Sequence, residues 1–406
     1  MKNKHLADTQ KIIDILTYRE DGNVMKMIYL YTTLNWYRIE LFRSLLKLVE
    51  LHIVILNGYS VGYTGIDYTP EYEDLNISFV SKEESKFSEL IKILDGEDFD
   101  SIVIPSMNNV FYLNLTTKLS HYYHSKGKNV LYFWEYWPME KGSYGLFKWI
   151  KQEIRHVYTR RNKPYIDYFI TPSINTYSFY LNMGIPSHKL IRCVNASEVI
   201  DKNEVDRNVR KELNIREDER VVLFFGRLEE YKGVNQLLAA FSKLQNDKWH
   251  LVICGPGEEK IMDEIVSRFG RGIFNGVHIM GSIATTERSA FYKAANLFVL
   301  PNTYKEKVEP WGLTVNEAMS FGLPVLVSNA TGSAIDLIVP GVNGYIMDAA
   351  HLESELLFYI KKILSDDELR DSMGRKSKEI IGSYTFDNMA KAFYVAAEKG
   401  YLKRER

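Results

Sequence analysis

The chain has 406 residues, 46% of them apolar and 25% charged, and its 51 basic and 52 acidic side chains leave a net charge of −1. That length exceeds one ordinary core and predicts two domains of about 150–200 residues each. The balanced charge excludes a global field that would recruit nucleic acid. Two cysteines, Cys193 and Cys254, stand in apolar contexts without metal-ligand spacing, which predicts structural thiols in a reducing compartment. The polar start over residues 1–10 has no signal-peptide pattern, and no run reaches the ~18–20 apolar residues of a membrane span. The expectation is a cytoplasmic protein, with attachment to the inner membrane face left open.

Apolar runs alternate with helix-period segments, the pattern of parallel α/β layers. Strands are predicted at 27–31, 51–56, 102–104, 130–133 and 168–170, with an apolar helical stripe of Ile39, Leu41, Phe42, Leu45 and Leu46 after the first. Tyrosine-rich 59–72 reads as a long loop or added hairpin. The alternation pauses near Asn195-Ala196-Ser197, and the charged stretch 198–220 reads as a connector with a small helix. The chain therefore divides at 198: residues 1–198, residues 199–382, and a last helix within 383–406. Strands follow at 221–225, 251–254, 277–280, 297–300 and 324–327. Val234, Leu237, Leu238, Phe241 and Leu244 share one helix face between the first two of these.

The chemistry gathers after two of these strands. In an open parallel sheet, ligands bind beyond the carboxyl ends of the strands, where Arg227 and Lys232 follow strand 221–225. A guanidinium fork and a mobile ammonium together suit a diphosphate, and helix starts near Gly233 and Gly312 add N–H donors. Glu309 and Glu317, eight positions apart, bracket Pro310-Trp311-Gly312. Carboxylates accept hydrogen bonds from vicinal diols, so one acid suits a hexose and the other a ribose. Pro310 fixes the turn, Trp311 plugs it, and Gly312 lets a ligand approach the backbone.

Order and spacing over residues 221–345 resemble the donor domain of glycosyltransferase family 4, a retaining, GT-B-fold family that uses nucleotide sugars. The matching pieces are Gly226-Arg227, Lys232-Gly233, Cys254-Gly255-Pro256-Gly257, Met280-Gly281-Ser282-Ile283, the Glu309/Glu317 pair with Ala318-Met319, Gly322-Leu323-Pro324-Val325 and Gly341-Val342-Asn343-Gly344. The resemblance implies two Rossmann-like domains facing across an interdomain cleft, residues 1–198 for the acceptor and 199–382 for the nucleotide sugar, with the last helix (383–406) crossing back to the first domain. It implies Arg227 and Lys232 on the diphosphate, Glu309 on the donor sugar and Glu317 on the ribose. Gly281, Ser282 and Ile283 would border the base, while Gly312, Leu313 and Thr314 would line the pyrophosphate and sugar. No cofactor and no metal are implied as requirements.

The chain departs from that family in three places. A Gly-Gly-x-x-Glu turn is replaced by Gly332-Ser333-Ala334-Ile335-Asp336. The Gly-rich loop after the first strand is replaced by residues 32–38, in which Arg38 either replaces a phosphate contact or serves the acceptor. Trp134-Glu135-Tyr136-Trp137 stands near the usual histidine, making Glu135 either an acceptor-orienting group or a strand-end acid paired with a basic neighbour.

Other motifs weaken on inspection. Gly255-Pro256-Gly257-Glu258-Glu259 lacks the third glycine of a dinucleotide fingerprint, and its acids oppose a pyrophosphate. His121 and His124 lack an acid pair and read as packing or surface histidines. Residues 141–163 carry seven basic side chains against Glu153 alone, interleaved with Leu146, Phe147, Trp149, Ile150 and Tyr158. That segment suits an anionic membrane surface, a lipid-diphosphate acceptor or a solvated helix face.

The sequence is thus read as a retaining, metal-independent hexosyltransferase. The donor is a UDP- or GDP-linked sugar and the acceptor a glycan or lipid-linked sugar, in cell-surface polysaccharide or glycolipid assembly, with no nucleic-acid partner. The competing readings are a non-catalytic subunit of the same fold and a nucleotide-sugar epimerase.

Overall fold

The computed structural model describes residues 24–56, 72–106, 110–138, 145–197, 206–244, 248–257, 276–305 and 307–404. Most of the tyrosine-rich 59–72 stretch, the division at 198, residues 141–144 and the acids of the Gly255 loop lie outside them.

Two parallel sheets organise the described residues. The first has seven strands: β1 (Lys26–Tyr31), β2 (Glu50–Ile55), β3 (Ile77–Phe79), β4 (Ser101–Ile104), β5 (Asn129–Phe133), β6 (Tyr168–Thr171) and β7 (Leu190–Arg192), in the order β3-β2-β1-β4-β5-β6-β7. The helices α1 (Ile39–Leu46), α2 (Phe87–Leu94), α3 (Val110–Ser125), α4 (Leu146–Asn162) and α5 (Ile174–Asn182) flank it. The second has six strands: β8 (Arg220–Phe225), β9 (Trp249–Cys254), β10 (Val277–Ile279), β11 (Leu297–Leu300), β12 (Val325–Ser328) and β13 (Gly344–Met347), in the order β10-β9-β8-β11-β12-β13. Its helices are α6 (Val209–Glu212), α7 (Val234–Ser242), α8 (Arg288–Ala294), α9 (Leu313–Ser320), α10 (Ala334–Leu337), α11 (Leu352–Leu364) and α12 (Asp367–Ile381), and α13 (Phe386–Arg404) ends the described chain.

Strands covered on both faces by helices read as unbroken apolar runs, and β1 shows how one run feeds two cores. Met27 and Tyr29 join the cluster containing Phe42, Phe133 and Phe393, while Ile28 and Leu30 join the one containing Tyr123, Tyr132 and Tyr180. The second sheet packs in the same way, with Val234, Leu237, Leu238 and Phe241 of α7 buried against it. Strands β3, β7 and β13 were not among the sequence expectations. Each is only three or four residues long and lies at or near a sheet margin, too short to show a period. Both cysteines are buried and unpaired, and burial pushes the Cys193 thiol up to about 12, so it stays protonated and inert.

Strand order reverses between β1 and β4 in one sheet and between β8 and β11 in the other, which makes each a topological switch point. The loops leaving the carboxyl edges of the two sheets meet. Asn316 of α9 donates to the Asn195 carbonyl after β7 at 2.8 Å, and the Trp137 and Tyr304 rings lie 6.4 Å apart. These are two Rossmann-like domains facing each other. Helix α13 returns to the first, with Phe393 against Tyr29 and Phe133.

Candidate donor site at the second switch point

The carboxyl edge of the second sheet collects the motifs that the sequence scatters over ninety residues. Gly226 and Arg227 leave β8 at the switch point, and the Gly226 amide donates to the Cys254 carbonyl at the end of β9, 2.9 Å away. The Gly255 amide donates to the Gly281 carbonyl at 2.7 Å, so the Gly281-Ser282-Ile283 loop after β10 joins the same edge. Across the switch point, the Thr303 amide after β11 donates to the Tyr231 carbonyl at 2.7 Å.

Lys232 sits in a short turn of 3-10 helix, Glu230–Lys232, and its ammonium pairs directly with the Glu309 carboxylate. Both side chains are largely shielded, at 10% and 15% exposure. Arg227 reaches Glu229 at 2.9 Å and the Tyr231 hydroxyl at 3.1 Å, yet about half of its side chain faces solvent. Glu229 also accepts from Lys307 at 2.7 Å. The result is a row of alternating charges in which the two cations expected on the diphosphate rest on carboxylates.

Gly312 is the N-cap of α9 at φ +88°, and a Cβ built there would lie 2.9 Å from Leu300 Cδ2. The glycine lets the Glu309 turn close onto the strand while aiming the first turn of α9, with Leu313 and Thr314, at the sheet edge. Gly233 plays the same part for α7 at φ +72°, where a Cβ would strike the Pro301 carbonyl. Two helix N-termini thus flank Lys232 and Glu309, each offering amide donors and a positive dipole end.

Glu317 lies one turn into α9 and is 3% exposed, bonded to Arg288 at 2.8 Å and to the Tyr292 hydroxyl at 2.5 Å. Burial pushes its carboxyl up, against the pull of Arg288. Arg288 and Tyr292 belong to the site's frame and carried no signal in the sequence, because neither falls in a motif.

Trp311 is more than a plug. Its indole N–H donates to Asn316 Oδ1 at 2.8 Å, and Asn316 in turn holds the Asn195 carbonyl. The Asn195 side chain accepts from Arg38 at 3.2 Å and donates to Glu135 at 2.8 Å. Arg38, expected on a phosphate or in a loop serving the acceptor, and Glu135, expected to orient the acceptor or pair with a basic neighbour, are thereby brought together as an ion pair, the second of the two expectations for Glu135. A continuous polar chain runs from the Trp311 turn to the first domain's switch point. The departing turn also crosses between domains. Asp336 accepts from the Ile174 amide at 3.1 Å and from Arg192 at 2.7 Å, capping α5 from outside. Among the described residues no three His, Cys, Asp or Glu side chains group as metal ligands, and no helix is long and apolar enough to cross a membrane.

With this geometry in place, similarity to known proteins becomes informative. Residues 205–380 match the family model described as glycosyl transferases group 1. An uncharacterized glycosyltransferase of Methanocaldococcus jannaschii is 31% identical over 186 residues, covering 45% of this chain and 46% of that protein. The lipopolysaccharide 1,2-N-acetylglucosaminetransferase of Salmonella typhimurium is 28% identical over 206 residues, covering 48% and 52%. The chain spans about half the length of the curated relatives it matches. Among solved structures, Anabaena HepE in complex with UDP-glucose superposes with a TM-score of 0.69 at 17% identity, over 93% of this chain and 100% of that one. WaaG, a glycosyltransferase involved in lipopolysaccharide biosynthesis, does so with a TM-score of 0.63 at 12% identity, over 91% and 98%. At those identities the likeness is one of fold.

Proposed function

Starting from a chain whose residues 205–380 match the glycosyl transferases group 1 model, we propose that it transfers a hexose from a nucleotide diphosphate sugar to a glycan or lipid-linked acceptor with retention of configuration. Residues 1–198 hold the acceptor, 199–382 hold the donor, and 383–406 brace the first domain. The setting is cell-surface polysaccharide or glycolipid assembly at the cytoplasmic face of the membrane. A relative acting on lipopolysaccharide supports that setting. Fold neighbours solved with UDP and UDP-glucose favour a uridine donor over a guanosine one.

The observation that carries the reading is the shielded Lys232–Glu309 pair between two helix N-termini at the switch point. A donor that enters here divides the pair. Its diphosphate takes Lys232 and Arg227, and the sugar hydroxyls take Glu309. As the glycosidic bond breaks, negative charge grows on the departing phosphate, where an ammonium, a guanidinium and amide dipoles are already positioned. Those groups supply the positive charge, so no metal is required. Each charge-assisted hydrogen bond contributes roughly 1.5–3 kcal/mol, which corresponds to about tenfold to a hundredfold in rate when one is lost.

The test is thermal stabilisation of the protein by UDP, GDP, ADP and their sugars, with and without magnesium. One nucleotide class should stabilise by about RT ln(1 + [L]/Kd), with or without magnesium, and Lys232→Ala should abolish the shift. If no nucleotide shifts the melting temperature, or Lys232→Ala responds like the parent, the donor-site reading fails.

A further inference from the structure

Helix α4 is amphipathic the wrong way round. Its buried side chains are Gln152, His156, Thr159 and Asn162. His156 bonds the Tyr136 hydroxyl at 3.1 Å and Asn162 donates to Thr117 at 2.9 Å, so the face turned to the protein is satisfied by polar contacts. Leu146, Phe147, Ile150, Ile154 and Val157 face solvent, with Phe147 82% exposed. Five of the fifteen large apolar side chains left exposed among the described residues stand on this one helix. At 3.6 residues per turn they fall within an arc of roughly 100°, opposite the buried polar stripe. A surface helix ordinarily turns such a stripe inward. Here the outer face is built to meet something apolar.

The charges around it say what. Lys151 borders one side of the arc, Arg160 borders the other, and Arg161 stands within it near the end of the helix, all three exposed. The one acid of the helix, Glu153, lies 3.2 Å from His156. A second copy of the chain would bring the same basic rim against itself. An anionic lipid surface offers hydrocarbon for the stripe and negative headgroups for the rim. We propose that the outer face of α4 docks on an anionic bilayer, seating Leu146, Phe147, Ile150, Ile154 and Val157 among the lipids at the headgroup boundary. This deepens the reading of a lipid-linked acceptor and rests on that reading for its purpose, while the binding itself needs no donor.

The experiment is co-sedimentation of the full chain with vesicles of phosphatidylcholine alone or with about one third phosphatidylglycerol, at low and high salt. The parent should pellet with the anionic vesicles, more weakly at high salt, and stay in solution with phosphatidylcholine. Phe147→Glu/Ile154→Glu should partition at least tenfold more weakly, and so should Lys151→Gln/Arg160→Gln/Arg161→Gln. Both variants alter only solvent-facing side chains and should keep the parent's melting temperature and its nucleotide-induced shift. That control separates failure here from failure of the donor site. Parent protein that ignores anionic vesicles, or a Phe147→Glu/Ile154→Glu variant that pellets like the parent, overturns the proposal. A parent dimer that the same substitutions dissociate does so too, since a second copy would then own the face.

Discussion

Asp336 concentrates the logic of the site in one side chain. Its carboxylate is 1% exposed and is spent on the other domain, on the Ile174 amide and on Arg192. Asp336→Ala leaves a helix N-terminal amide and a guanidinium without their acceptor. A stability loss of about 1–3 kcal/mol is expected, because Arg192 is partly solvated and recovers some of the bond from water. Urea denaturation reads it, and an unchanged midpoint would show that the contact holds nothing together. That Lys232 and Glu309 meet was foreshadowed by local motifs: Lys232 before a helix-starting glycine, Glu309 before a Pro-Trp-Gly turn. The partners were not. Asn195 reaches Asn316 across 121 positions, and Arg288 reaches Glu317 across 29 with no pattern to mark it. Contacts set by tertiary packing, within a domain or between the two, leave no trace in spacing.

At the scale of the element, α9 depends on the residue before it. Gly312→Ala forces a Cβ into the left-handed region, at about 1–2 kcal/mol, and against Leu300. The helix start then shifts, and a displacement of about 1 Å at a reacting centre costs on the order of a hundredfold. Turnover should fall at least tenfold with only a small drop in melting temperature. A Gly312→Ala protein with parental turnover would show that this helix start does not position the donor. The long buried strands were readable as apolar runs, whereas β3, β7 and β13 were too brief to announce themselves. Helix α4 was readable as basic and aromatic, but the direction it faces was not, since a helical period is the same whichever stripe turns inward.

The whole molecule is tied by its last helix. Met389, Ala390, Phe393, Ala396 and Ala397 of α13 are buried in the first domain's cluster, and Asn129 donates to the Ala396 and Ala397 carbonyls. Phe393→Ala should cost about 3–5 kcal/mol, and calorimetry should place the loss in the transition of the first domain alone. A shift confined to the other transition would assign α13 to the second domain. The two-domain plan was legible because the alternation of runs stops once and restarts. The return of α13 to the first domain is expected from the family resemblance and not from the helix itself, because an amphipathic helix does not say which surface it will cover.

That return sets an order of assembly. A chain made from its beginning delivers β1 to β7 first, yet Tyr29 and Phe133 lack the cover of Phe393 until residues 386–404 have followed. The second domain's core among the described residues, from Val209 to Met373, is in hand before then. During synthesis the half that starts first is therefore finished last, and its uncovered aromatic surface is what a chaperone would find to hold.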